Sequence, residues 1–175
     1  MKRTRRLLIA KHAVYVFILL ILYVLQTTPG LFAIFGARPL LVVPAAIVIA
    51  MCEGEFIGGI YGAFAGLLCD MTGVMLFGFN GLIIALFCIA AGLAVIYLMH
   101  ANAYNAMLYT AAAMFMRGSI EFLFGFGIWG HAYVWQIYVY NTLPIIVYTT
   151  VVTPLIFWMM RGIHRKFARR LARAL

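Results

Sequence analysis

The residues of this sequence that could do chemistry are the few ionisable side chains that interrupt its long apolar stretches. Asp70 closes one such stretch, and Arg117 and Glu121 lie within another. A charged side chain in a bilayer is costly unless an opposite charge neutralises it, so each should have a partner. Counted from the cytoplasmic starts of their predicted helices, Asp70 and Arg117 lie at matching depths. We therefore predict an ion pair between them, with Glu121 about one turn nearer the outside and Arg38 at the outer rim.

Two interpretations of these four charged side chains stay open: a structural clamp that fixes helix register, and a site that binds a substrate or a partner. Glu53 and Glu55 form a second acidic group, but no nucleophile or second base accompanies them. A solvated turn is therefore favoured over a catalytic pair. Cys52, Cys69 and Cys88 lie in apolar runs, with no histidine at metal-ligand spacing. We expect core positions for them, and neither a catalytic residue, a metal site nor a cofactor.

A stripe of glycines leads to Asp70. Gly58, Gly62 and Gly66 recur at every fourth position and Asp70 follows at the same interval, so all four share one side of a helix. Glycine weakens a soluble helix by about 1 kcal/mol relative to alanine, whereas in a membrane small residues let a neighbouring helix approach closely. We therefore predict close helix packing along this stripe, with Asp70 facing protein rather than lipid.

The composition predicts an integral membrane protein. The chain is 67% hydrophobic and only 10% charged, with a mean hydropathy of +1.08, which leaves too little polar surface to coat a globule in water. Of its 13 lysines and arginines, all but Arg38 and Arg117 lie near the two ends. Positive charge marks the cytoplasmic side, so both termini should be cytoplasmic and the number of spans even. Because no basic face is left on a folded domain, nucleic-acid binding is not expected.

The apolar runs predict an all-α membrane bundle of about six transmembrane helices. We divide the chain into a single transmembrane domain over residues 1–160 and a basic amphipathic cytoplasmic tail over residues 161–175. The predicted spans cover residues 7–25, 39–52, 56–71, 82–99, 106–128 and 143–160.

The tail has two chemically distinct sides when it is placed on a helical wheel. Ile163, Phe167, Leu171 and Leu175 share one side, and the basic residues share the other. A helix that lies flat on an anionic inner leaflet explains this pattern, and binding to a cytoplasmic protein is the competing use. The predicted contacts to anionic lipids are Arg165, Lys166, Arg169, Arg170 and Arg173.

Aromatic residues crowd the predicted outer loop that follows the fifth span. Such rings belong either to an aromatic girdle at the headgroup level or to a surface that binds another membrane protein, and both interpretations stay open. The candidate partner-binding aromatics are Trp129, Tyr133, Trp135 and Tyr138.

These residues together resemble the MreD family of rod-shape-determining membrane proteins. Supporting features are Leu25-Gln26, Arg38-Pro39 and the run from Pro154 to Arg161. The central signature reads Glu55-x2-Gly58, Gly62-x3-Gly66-Leu-Leu-x-Asp70, Gly73, Phe77-Gly78-x-Asn80 and Leu82.

The resemblance implies a non-catalytic protein of the bacterial cytoplasmic membrane that works in the machinery inserting peptidoglycan along the side wall. It also implies binding to MreC and association with a polymerase–transpeptidase pair. The implied fold is similar to that of the substrate-binding subunits of energy-coupling transporters. Two features depart from the family pattern, namely the acidic turn with Glu53 and Glu55 and the long basic tail.

Two other classes of function compete with this one. A substrate-binding transport subunit for a vitamin-like molecule usually shows an Ala-x3-Ala pair on its first span, whereas Ala10 and Ala13 are only three apart. A membrane enzyme would need a nucleophile or a metal cluster, and the sequence offers scattered histidines without an acidic metal motif.

Overall fold

A computed structural model describes residues 2–28, 30, 38–72, 77–124 and 138–172 of the chain. These residues form α-helices and one short π-helical turn at Tyr138–Thr142, with no strand among them, so the predicted all-α class is confirmed for the described part. The helices are α1 (Lys2–Thr27), α2 (Val42–Glu53), α3 (Glu55–Asp70), α4 (Phe79–Tyr97), α5 (Ala103–Phe122) and α6 (Leu143–Ala172).

Three segments are long and apolar enough to cross a membrane: Thr4–Thr27 of α1, all of α4 and all of α6. This agrees with the predicted membrane character of the chain. Helix α2 is also apolar but shorter, with 12 residues. The number of six spans therefore stays a prediction.

The last helix differs from its prediction. Helix α6 continues without a break from Leu143 to Ala172, although Pro154 lies inside it. The predicted boundary between span and tail, at residues 160 and 161, falls within this helix. The described part of the basic tail is thus helical and continuous with the rest of α6.

Helix α2 lies at the centre of the bundle. Every residue from Val42 to Met51 is buried, and α2 contacts each of the other described helices. A helix that is apolar on all sides is stable only when neighbours surround it, so the pattern of this segment explains its position. Its small residues, among them Ala45, Ala46 and Ala50, are all completely buried.

The glycines of α3 lie where no side chain would fit. A Cβ atom on Gly62 would be 2.8 Å from the Cys88 side chain of α4. A Cβ atom on Gly58 would collide with Ala50 of α2, and one on Gly66 would collide with the backbone of Gly81. The four-residue spacing therefore lets α3 meet α2 and α4 at backbone distance.

A single residue joins α2 to α3. Gly54 has a φ angle of +93°, which side chains of L-residues rarely allow, and its N–H bonds to the carbonyl of Ala50. The two helices consequently run in opposite directions, and the carboxyl end of α2 meets the start of α3.

Two polar regions mark the opposite ends of the bundle. At one end Gln26 of α1 bonds the backbone of Val42, and the N–H of Leu40 bonds Thr149 of α6. At the other end Glu53 of α2 meets His164 of α6. We refer to them below as the Asp70 end and the Glu53 end, after the carboxylate at each.

Candidate functional site

Asp70 is buried, with 5% of its surface exposed, and its carboxylate binds backbone N–H groups at the start of α4. Oδ2 accepts hydrogen bonds from the N–H of Gly78 (2.8 Å) and of Gly81 (3.4 Å), and Oδ1 accepts one from Asn80 (3.3 Å). The first N–H groups of a helix have no partner within the helix, and the helix dipole favours a negative charge there. Asp70 therefore satisfies the amino end of α4 and joins α3 to it.

The predicted direct ion pair between Asp70 and Arg117 is not formed. Arg117 Nε donates instead to Asn80 Oδ1 at 2.8 Å, and Arg117 Nη2 lies 3.1 Å from Glu121 Oε2 on its own helix. Backbone N–H groups already donate to both carboxylate oxygens of Asp70. The carboxylate that pairs with the Arg117 guanidinium is that of Glu121, one turn further along α5. Asn80 links the two charges, because its backbone N–H donates to Asp70 and its side-chain oxygen accepts from Arg117.

Asn80 lies near the start of α4, but its side chain does not cap that helix. The capping position of α4 is occupied by Gly78, and the capping oxygens come from Asp70. The Asn80 side chain is free to turn to α5, where it accepts the hydrogen bond of Arg117. We call the connected set of Asp70, Asn80, Arg117 and Glu121 the Asp70 relay.

Arg38 lies at the same end of the bundle, just before α2, and is exposed. None of the carboxylates that the structure describes lies within ion-pair distance of it. Together with Arg117 and Glu121, Arg38 lines a cavity of about 270 Å³ at this end.

A second polar group, which sequence reasoning missed, surrounds Glu53 at the opposite end. The Glu53 side chain is only 7% exposed and accepts from three different side chains. Lys11 Nζ lies 2.6 Å from Oε2, and the Tyr15 hydroxyl and His164 Nδ1 each lie 2.8 Å from Oε1. The carboxylate therefore joins α1, α2 and α6 at one point.

Aromatic contacts extend this group to α3. The ring of His12 stacks on that of Tyr61, and His12 Nδ1 lies 3.0 Å from the Tyr61 hydroxyl. Tyr15 meets Tyr61 edge to face, with ring centroids 5.9 Å apart. We call these six side chains the Glu53 cluster; its members are Lys11, His12, Tyr15, Glu53, Tyr61 and His164.

The structure corrects one expectation at this cluster. A solvated turn was predicted for Glu53, yet its side chain is only 7% exposed and is paired with the partly buried Lys11. The partners of Glu53 are remote in sequence, so no local pattern could reveal them. One available signal was the four-residue spacing of Lys11 and Tyr15, which places an ammonium and a hydroxyl on one face of α1.

The Glu53 cluster holds α1, α2, α3 and α6 together through side-chain hydrogen bonds. It combines one carboxylate, two imidazoles, two phenols and one ammonium, all within hydrogen-bond networks. Within the described ranges, no group of three or more His, Cys, Asp or Glu side chains could hold a metal ion. The arrangement fits a polar clamp.

The remaining predicted site residues lie at the surface or outside the described ranges. Arg165, Lys166, Arg169 and Arg170 are exposed on the final turns of α6, while Ile163 is half-buried and packs on the core. Arg173 lies outside the described residues, as do Trp129, Tyr133 and Trp135, and of Tyr138 only the backbone is described. Comparison of the chain with protein-family models, curated proteins and solved structures finds no match.

Proposed function

We propose that this protein is a non-catalytic membrane component of the bacterial cell-shape and peptidoglycan elongation machinery, of the MreD type. In this proposal all six helices cross the cytoplasmic membrane. Both termini then lie in the cytoplasm, because the basic residues gather at the Glu53 end. The protein binds MreC and helps to scaffold the wall-synthesis complex with its polymerase–transpeptidase pair.

The observation that carries the proposal is the place of the MreD-like signature in the fold. Its glycines lie where α3 touches α2 and α4, and its aspartate holds the amino end of α4. These residues therefore fix the relative position of three helices. Because these signature residues pack helices together, they support a scaffold rather than an enzyme. None of their side chains is placed as a nucleophile or a general base.

Helix α4 offers a surface suited to a partner helix. Five of its exposed apolar residues are spaced alternately by four and three positions, the spacing at which two helices interlock side chains. Asp70 holds the start of this same helix, so the orientation of the exposed surface of α4 depends on the signature residues. Its residues are Leu82, Leu86, Ile89, Leu93 and Ile96.

The proposal is tested by co-purification of the full chain with MreC from detergent-solubilised membranes, followed by mass spectrometry. We expect MreC to be retained together with components of wall elongation. Recovery of an ATPase module and a vitamin-like ligand in place of MreC would contradict the proposal.

A photo-crosslinking amino acid tests the partner surface directly. Placed at Leu86 on α4, it should crosslink to the single span of MreC. The control position is Leu155 on α6, which is also apolar and even more exposed. Equal crosslinking from both positions would show that α4 is not the preferred surface.

The second candidate is a substrate-binding membrane subunit of a transporter for a vitamin-like small molecule. The cavity at the Asp70 end favours it, since ligand sites are concave and carry a few convergent polar groups. Anionic lipids remain proposed partners of the basic extension of α6 in either case.

A further inference from the structure

The cavity at the Asp70 end is lined by polar side chains from several parts of the fold, together with the apolar residues Pro39, Leu40 and Ile145. Its volume of about 270 Å³ is at the small end for ligand sites, so it suits a compact ligand or the polar part of a larger one. The polar lining residues are Gln26, Thr27, Arg38, Thr72, Arg117 and Glu121.

The charge of this lining is positive. Glu121 is paired with Arg117, which leaves Arg38 without a carboxylate among the described residues. The guanidinium of Arg117 uses two N–H groups on Asn80 and Glu121. A guanidinium has five N–H donors in a planar fork, so further donors remain available on Arg117.

Gln26 adds a buried donor that meets no oxygen or nitrogen acceptor among the described residues, only the weakly accepting thiol of Cys69. Its Oε1 accepts from the N–H of Val42 at 3.3 Å, which fixes the orientation of the amide. Its Nε2 is the one buried side-chain nitrogen or oxygen in the described part of the chain that makes no hydrogen bond. Gln26 itself is only 6% exposed. Buried polar groups are nearly always satisfied, and a thiol is a weak acceptor, so this amide can still donate to a stronger acceptor placed at the cavity wall.

We propose that this cavity binds a phosphate group. Arg38 supplies the opposite charge, and Arg117 and Gln26 Nε2 supply further donors from two different helices. Phosphate suits such a site because it combines negative charge with several acceptor oxygens that a guanidinium can bind in pairs. The group is either the headgroup phosphate of a membrane lipid or a soluble phosphate ester. The inference is independent of the protein partner proposed above.

The test measures ligand binding to the full chain purified in detergent, by native mass spectrometry and thermal shift. The first probe is dioleoylphosphatidylglycerol, with dioleoylglycerol as the matched lipid that lacks phosphate. The second probe is glycerol phosphate, which lacks acyl chains. Retention of the phospholipid alone identifies a headgroup site, whereas a thermal shift with glycerol phosphate identifies a soluble ligand.

Two variants separate this site from general electrostatic attraction. Gln26→Glu keeps the acceptor for Val42 but replaces the Nε2 donor with an anionic oxygen, and Arg38→Gln removes an exposed charge. Each should weaken phosphate binding about tenfold or more, as expected for the loss of a hydrogen bond to a charged group. Arg6→Gln, which removes one exposed charge near the N-terminus, should leave it unchanged.

The proposal is overturned if dioleoylglycerol binds as well as the phospholipid and glycerol phosphate gives no shift. It is also overturned if Arg6→Gln weakens binding as much as Arg38→Gln does. Because Arg38 is exposed, its variant should fold even if Gln26→Glu does not.

Discussion

His164 Nδ1 lies 2.8 Å from Glu53 Oε1, although the two residues are 111 positions apart. This contact ties the last helix to the end of the central one. The same carboxylate also binds Lys11 and Tyr15 of the first helix. A single buried side chain thus closes the bundle at this end.

We expect Glu53→Ala to destabilise the protein by about 3 kcal/mol, because it leaves the partly buried Lys11 ammonium and two other donors without their acceptor. The measurement is thermal unfolding of the purified protein in detergent. Glu55→Ala is the matched control and should change stability little, since Glu55 is also half-buried but forms no ion pair with the described residues. Similar losses of stability from both variants would mean that the hydrogen bonds of Glu53 do not stabilise this end of the bundle.

The pair of Lys11 and Glu53 should behave as a coupled unit. Lys11→Met or Glu53→Gln alone leaves one uncompensated buried partner, whereas the double variant removes both charges. We expect the double variant to be more stable than the sum of the two single losses predicts, by about 1 kcal/mol or more. Strict additivity in unfolding experiments would rule out an energetic coupling between the two side chains.

Gly66→Ala should destabilise the bundle by about 1–3 kcal/mol, the usual cost of inserting a methyl group where there is no space. Its Cβ would meet the backbone of Gly81, which cannot move aside as a side chain can. Gly162→Ala is the control, because nothing lies within 4 Å of its Cβ position. That variant should be neutral or slightly stabilising, since alanine favours a helix over glycine. The same thermal assay compares the two.

Asp70→Ala should cost more than Arg117→Gln. The first change leaves three backbone N–H groups at the start of α4 without their acceptor, and we expect a loss of about 3 kcal/mol. The second breaks side-chain contacts to Asn80 and Glu121 only, so about 1 kcal/mol is expected. Equal losses would favour the direct ion pair that the structure replaces with the Asp70 relay.

The all-helical class followed from composition and from the apolar runs, because these properties are local. The burial of Asp70 could also be predicted, since it shares a helix side with the glycines. Its hydrogen-bond partners could not be predicted by matching charged side chains, because they are backbone N–H groups at the start of α4, beginning only eight residues away. The partners of Glu53 could not be predicted either. They lie on α1 and α6, and these helices meet at α2 only in the folded protein, so the periodicity of the sequence carries no sign of them.

The length of α6 has a geometric consequence. Its 30 residues measure about 45 Å at 1.5 Å per residue, whereas the hydrocarbon layer of a bilayer is about 30 Å thick. If α6 crosses a bilayer upright, about ten of its residues extend past that layer. The contact between His164 and Glu53 then lies at the start of this extension and joins the arginine-rich end of α6 to the central helix.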